Sequence, residues 1–332
     1  MDLQVEDFRN TYAEVNLKHL CHNFRQLEAM VSENTFFCPM VKANAYGHGD
    51  VATVKALKKE GVRFVGVALL EEGIRLRAAG ITDLQVLVFG PFGAEGVAVA
   101  REYKLTPVVS SLEQLQEIVS GLSLQDSFHC HLKFNTGMNR LGIDVDQLES
   151  TQNLLKSKPQ IKVSGICTHL AQGEDSLEVG GTTDQQLAQF TKIGQLFPQT
   201  IQHVYNSSGL IAQHLRPSSQ AFYGARPGIA LYGVKPSLVN LSEADLIRWK
   251  AIDLKPVMTM RSSLIGLHHL KAGERVSYGG TWTAPCQSII GVVSIGYADG
   301  YHRLVSNRGF LLYRGQRVPI VGRVCMDYLM VD

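Results

Sequence analysis

The sequence predicts an α/β chain, a (β/α)8 TIM barrel followed by a smaller, mostly β-stranded C-terminal domain. Three observations carry this reading. Short apolar runs alternate with amphipathic stretches from about residue 14 to 233. After Val234 the pattern changes to period-two runs separated by glycine turns. The 332 residues, 45% of them hydrophobic, suffice for one large barrel and a second domain.

The barrel runs can be named in order: 36–41, 63–68, 85–89, 106–109, 128–134, 161–168, 202–205 and 224–232. Between them, 17–31, 50–60, 71–79, 112–119, 145–156 and 184–196 place apolar residues at three- and four-residue spacing and read as helices. Eight β-α units over roughly 220 residues match the size of one barrel. The barrel is expected over 14–240 and the β domain over 241–332, joined by an N-terminal strand within 1–13 and the strand-like run 11–15. A polar, proline-bearing stretch, 235–251, precedes the period-two runs 258–265, 288–295 and 310–313. The chain stops at Met330-Val-Asp332, inside an apolar run, so either it continues in nature or its second domain is short.

A net charge of +2 is spread over mixed signs without a long basic stretch, which argues against a nucleic-acid or anionic-membrane partner. The six cysteines show no CxxC pair and no metal-ligand spacing, so reduced thiols and no metal site are expected. The polar start, Met1 to Asn10, lacks the basic and apolar regions of a signal peptide, and no apolar stretch reaches the roughly 18 residues of a membrane span. A cytoplasmic protein follows.

Chemistry gathers where barrel strands end. Lys42 closes the apolar run 36–41 and opens Val41-Lys-Ala-Asn-Ala-Tyr-Gly-His-Gly49, a glycine-bracketed turn. Partial desolvation there favours the neutral amine, a nucleophile towards carbonyls, although a snorkelling lysine has the same look. Lys133, Asn135 and Arg140 follow the fifth run, His169 the sixth, Asn206-Ser-Ser-Gly209 the seventh, and Arg226-Pro-Gly-Ile229 lies on the eighth. Asn206-Ser207 reads as a helix cap or an anion site. Arg226 could pair a surface acid, and His169 could be a buried core histidine. Two cations as close as Lys133 and Arg140 call for an anion between them. In the second domain, Val276-Ser-Tyr-Gly-Gly-Thr-Trp282 places Tyr278 at a β-turn, and Ser294-Ile-Gly-Tyr-Ala-Asp-Gly-Tyr301 and Ile320-Val-Gly-Arg-Val-Cys-Met-Asp327 are further glycine-marked blocks.

These blocks, in this order and over essentially the whole chain, resemble those of the alanine racemase family. The resemblance implies pyridoxal 5'-phosphate as cofactor, with Lys42 as Schiff-base lysine and base on one face of the substrate Cα. Tyr278 of a partner subunit would be the base on the other, which implies a homodimer with shared active sites. It further implies Tyr46, Asn206, Ser207, Gly228 and Ile229 around the phosphate, and His169 against the cofactor ring. Arg226 would face the pyridine nitrogen, where a permanent charge weakens the ring as an electron sink and favours racemisation over transamination. Arg140 and Met326 would contact the carboxylate of alanine, with Lys133 carbamylated, or else paired with an ordinary acid. Tyr297 and Asp327 would shape the entry and inner wall. A further phosphate-binding tyrosine of the family lies beyond the last residue. In the family D-alanine feeds peptidoglycan synthesis. A racemase of wider range, acting on serine or basic amino acids, is the near alternative. A non-catalytic cofactor carrier or a decarboxylase is more distant, because carriers lack a β domain and decarboxylases meet the ring nitrogen with a glutamate.

Overall fold

The computed structural model describes residues 9–123, 125–175, 177–216 and 223–332. The chain divides into two compact units, one spanning Asn16–Val257, the other combining the residues up to Val15 with Met258–Asp332.

The larger unit holds seven parallel strands in sequential order: Phe64–Val67, Gln85–Val88, Leu105–Val109, Phe128–Lys133, Ile161–Cys167, Ile201–Tyr205 and Gly224–Ala225. The run 36–41, expected as a first regular strand, is instead the seam that joins the two edges of this sheet. On one side the N–H of Cys38 donates to Ala225 O and that of Met40 to Pro227 O, both at 2.9 Å. On the other, the Val41 N–H donates to Gly66 O at 2.8 Å and the Gly66 N–H to Pro39 O at 2.9 Å. Pro39 has no N–H to give, so a continuous ladder cannot run through it, yet both edges are satisfied. Phe36, Cys38, Leu87, Val108 and Cys167 pack together as one buried cluster.

The six expected helices are present as Leu17–Glu28, Asp50–Lys59, Leu70–Ala78, Leu112–Ser120, Leu148–Ser157 and Thr182–Gln195. Three more are Ser207–Leu215, which follows the helix cap read at Asn206-Ser207, and Glu95–Glu102 and Glu243–Ala251, which the sequence does not mark as helices. Glu243–Ala251 buries no residue, so it lacks the apolar stripe that periodicity detects. Its end is held by Lys235, whose ammonium donates to Trp249 O at 3.0 Å and Ile252 O at 2.8 Å and lies 4.5 Å from the Trp249 ring centroid. This helix belongs to the larger unit, which runs to Val257. The run 224–232 also differs from expectation. It breaks after Ala225 and resumes as the 3-10 turn Ile229–Tyr232, so Arg226 follows the last strand and does not lie on it.

In the smaller unit, Tyr12–Val15 pairs antiparallel with Met258–Arg261. The rest of the expected N-terminal strand, residues 1–8, lies outside the described residues. The expected run 258–265 is divided, because Leu264–Leu270 leaves that pair for a three-stranded antiparallel sheet with Ser288–Val293 and Leu329–Val331. Two short hairpins, Arg275–Val276 with Trp282–Thr283 and Phe310–Tyr313 with Gln316–Pro319, complete it. Val293, Ile295, Ile320, Val324, Leu329 and Val331 form its core. Among the described residues no helix is long and apolar enough to cross a membrane.

Candidate active site

At the C-terminal ends of the barrel strands, Lys42, Tyr46, Lys133, Arg140, His169, Asn206, Ser207, Arg226, Gly228 and Ile229 line one cavity of about 400 Å³. Ten of the barrel residues singled out in the sequence therefore meet, while Asn135 is not among the lining residues. Met40, Phe89 and Leu141 add apolar walls, and no carboxylate is among the lining side chains. Four cationic side chains without a counter-charge suit an anionic ligand.

Lys42 is presented by an unusual piece of backbone. Ala43, Asn44, Ala45 and Tyr46 all have φ between 52° and 54°, so the turn Lys42–Tyr46 is a left-handed helix built without glycine. Each such residue costs roughly 1–2 kcal/mol, and four together roughly 4–8 kcal/mol, so the surroundings must hold the segment. Inside it, the Ala45 N–H donates to Val41 O at 2.8 Å and the Gly47 N–H to Ala43 O at 3.0 Å. Tyr46 stacks at 4.9 Å on Tyr232, whose hydroxyl donates to Met40 O at 2.9 Å. Burial raises the Tyr46 phenol above its usual range.

Opposite, Asn206 caps the helix Ser207–Leu215 by accepting the Gly209 N–H at 2.9 Å, so the helix-cap reading holds alongside its place on the cavity wall. Ser207 Oγ accepts the Gly228 N–H at 3.0 Å and the Ala230 N–H at 3.2 Å. A Cβ at Gly228 would stand 2.3 Å from Tyr46 Oη, so glycine is what lets the phenol reach this cradle. Hydroxyls, backbone N–H groups and a helix N-terminus converge, a donor set that fits a phosphate dianion. With Lys42 across the cavity to bond an aldehyde, the residues fit pyridoxal 5'-phosphate.

Arg226 is buried. Its guanidinium donates to Thr168 O at 2.6 Å, Val204 O at 3.1 Å and His203 Nδ1 at 2.6 Å, and lies 3.4 Å from His169 Nδ1. No acid pairs with it among the described residues, which rules out the surface ion-pair reading. His203 Nε2 in turn is 2.8 Å from His131 Nδ1. Because Arg226 can only donate, His203 Nδ1 accepts, and the proton of that ring sits on Nε2, facing His131. Burial, reinforced by Arg226, lowers all three imidazoles: His131 to about 4, His169 to about 3 and His203 well below the usual range. His131 and His203 went unnoticed in the sequence. The signal was their inward position on two barrel strands with one strand between them, which a reading of strand ends passes over.

Lys133 is 6% exposed and forms no ion pair among the described residues, so the ordinary acidic neighbour is absent. Burial lowers its ammonium below the usual range, with Arg226 and Arg140 adding to the fall. Asn135 turns the following loop, accepting the N–H groups of Gly137 at 3.2 Å and Asn139 at 3.0 Å, and brings Arg140 back over the cavity.

Within the smaller unit, the three glycine-marked blocks interlock. Ser277, at φ 67°, donates to Arg323 O at 2.8 Å. Tyr297 N–H donates to Cys325 O and Ala298 N–H to Met326 O, each at 3.0 Å. Arg9 joins Ser294 O, the Asp299 carboxylate and Asp327 O. Tyr278, Tyr297 and Met326 are 70%, 46% and 56% exposed on this unit.

The family model for the N-terminal domain of alanine racemase matches residues 15–236, and that for the C-terminal domain matches 257–332. Alanine racemase of Sorangium cellulosum is 40% identical over 341 residues, covering 98% of this chain and 84% of that protein. The structure of alanine racemase from Bartonella henselae with covalently bound pyridoxal phosphate superposes with a TM-score of 0.83 at 27% identity, over 97% of this chain and 86% of that one. Alanine racemase from Bacillus anthracis with bound L-Ala-P gives 0.84 at 30% identity, over 98% and 83%.

Proposed function

The chain belongs to the alanine racemase family, and from that premise we propose that it interconverts L- and D-alanine with pyridoxal 5'-phosphate held in the barrel cavity. When bound, the cofactor supplies the electron sink that makes the alanine Cα–H acidic. Lys42 attaches the cofactor and moves a proton on one face of Cα. Tyr278 of a second copy of the chain serves the other face, since a single base would have to change sides to invert the centre. Its exposure and its turn, fixed through Ser277, support that role.

Tyr46, Ser207, Gly228 and Ile229, with Asn206 beside them, hold the phosphate, and His169 lies against the ring. Arg226 faces the ring nitrogen and, being permanently charged, keeps it unprotonated, so the proton returns to Cα. Arg140 and Met326 contact the substrate carboxylate, while Tyr297 and Asp327 shape the entry and inner wall. Lys133 is carbamylated. Its burial without an acid, and a lowered ammonium pKa that favours the neutral amine able to add CO2, support this reading. Shared sites make the homodimer the working unit. The D-alanine formed serves peptidoglycan synthesis in the cytoplasm, in keeping with six unpaired cysteines.

The observation that carries this reading is the convergence of Lys42, Arg226 and the Ser207–Gly228 cradle on one acid-free cavity. It is tested by chiral analysis of L-alanine incubated in D2O with the protein and pyridoxal phosphate. D-alanine carrying deuterium at Cα is expected, lost in Lys42→Ala and severely lowered in both directions in Tyr278→Phe. Cofactor binding without inversion or exchange of alanine would refute it.

A further inference from the structure

We propose that Glu72 is the positioning residue of the Lys42 turn, its carboxylate capping the left-handed segment and so fixing where Lys42 and Tyr46 enter the cavity. The inference rests on the cofactor-attachment reading of Lys42. Glu72 is buried at 7% exposure, yet it pairs with no cation among the described residues. Its oxygens accept three backbone N–H groups instead: Ala43 at 2.5 Å, Ala68 at 2.7 Å and Leu69 at 3.1 Å.

The last two cap its own helix, Leu70–Ala78. The first belongs to the left-handed turn. A helix of either hand leaves the N–H groups of its first turn without internal acceptors and carries positive charge there. Ala45 already bonds within the segment, to Val41 O, whereas Ala43 reaches Glu72. One turn further along the same helix, Arg75 reaches the next residue of the turn, Asn44, through Asp50. Its Nε and Nη2 both lie 2.7 Å from Asp50 Oδ2, and the Asp50 N–H donates to Asn44 Oδ1 at 3.0 Å. A single right-handed helix thus holds Ala43 directly and Asn44 through Asp50, the first two residues of a left-handed segment that would by itself wind the other way. A carboxylate is required at the near end, because a glutamine there has one acceptor oxygen for three converging donors and adds an N–H₂ among them.

The test compares the full wild-type chain with Glu72→Gln and Arg75→Gln, without and with pyridoxal 5'-phosphate. Amide exchange is followed in the peptide covering 41–49 and in the barrel strand Phe128–Lys133, and cofactor affinity is read from absorbance. Glu72→Gln is expected to speed exchange in 41–49 at least tenfold and weaken the cofactor at least tenfold, leaving 128–133 unchanged. Arg75→Gln is expected to act in the same segment, more weakly. Exchange and affinity within twofold of wild type overturn the proposal, as does an equal rise in both peptides, which would make Glu72 a residue of general stability. If wild type itself does not bind pyridoxal phosphate, the functional reading fails, while the exchange comparison still decides what Glu72 does to the turn.

Discussion

Replacing Arg226 by methionine separates two opposing terms in the barrel core. The guanidinium supplies the donors for Thr168 O, Val204 O and His203 Nδ1. Methionine fills similar space but donates nothing, and each buried acceptor left unpaired costs roughly 1–3 kcal/mol, about 3–9 kcal/mol for three. Against this, a charge buried without a carboxylate is removed, which returns several kcal/mol. Lost bonds outweigh that relief, because polarised carbonyls from two strand ends and a ring nitrogen are stranded at once. The net expectation is a loss of about 2–4 kcal/mol. Urea unfolding of the unloaded chain at neutral pH, followed through the barrel transition, measures it. A midpoint that stays put or rises would show that burying the charge, not satisfying the carbonyls, dominates. In the same variant, NMR titration should find His169 and His203 moved up towards ordinary imidazole values, since Arg226 contributes to holding both down.

The buried imidazoles make stability depend on acid. Each has a folded pKa below its unfolded value of about 6.5, so the stability they contribute is complete above that pH. It is lost as the pH falls towards about 4 for His131 and about 3 for His169. Urea midpoints should therefore drop from pH about 7 to about 4, less steeply in His131→Asn; parallel curves would refute the assignment. Gly228→Ala places a methyl where the Tyr46 hydroxyl now lies. It should weaken pyridoxal phosphate binding about tenfold, roughly 1.4 kcal/mol, read by absorbance titration. Gly228→Ala with Tyr46→Phe should bind better than Gly228→Ala alone if the clash with Oη is the cause.

The barrel was legible because its strands and helices carry opposite periodicities, and the site because strand ends in such a barrel face one way. What escaped the sequence did so for identifiable reasons. The helix Glu243–Ala251 has no buried face to generate a pattern. The seam 36–41 has the composition of a strand, but Pro39 denies it a ladder. Arg226 sits just past a strand only two residues long, because Pro227 and Gly228 follow at once. His131 and His203 pair across strands that are neighbours of a neighbour, a relation sequence spacing does not encode. Nothing in the sequence links Glu72 to Ala43, and only the fold brings them together.

The mirror-handed turn also orders events in time. Alanines and an asparagine left to themselves favour the right-handed form, so nothing local can write this segment during synthesis. Its supports come from strand Phe64–Val67, the helix behind it and the seam, so it is expected to take shape only with them. The Lys42 amine, proposed to capture the cofactor aldehyde, is on this account presented by the finished barrel and not by the nascent chain. Maturation and chemical competence are then expected to coincide.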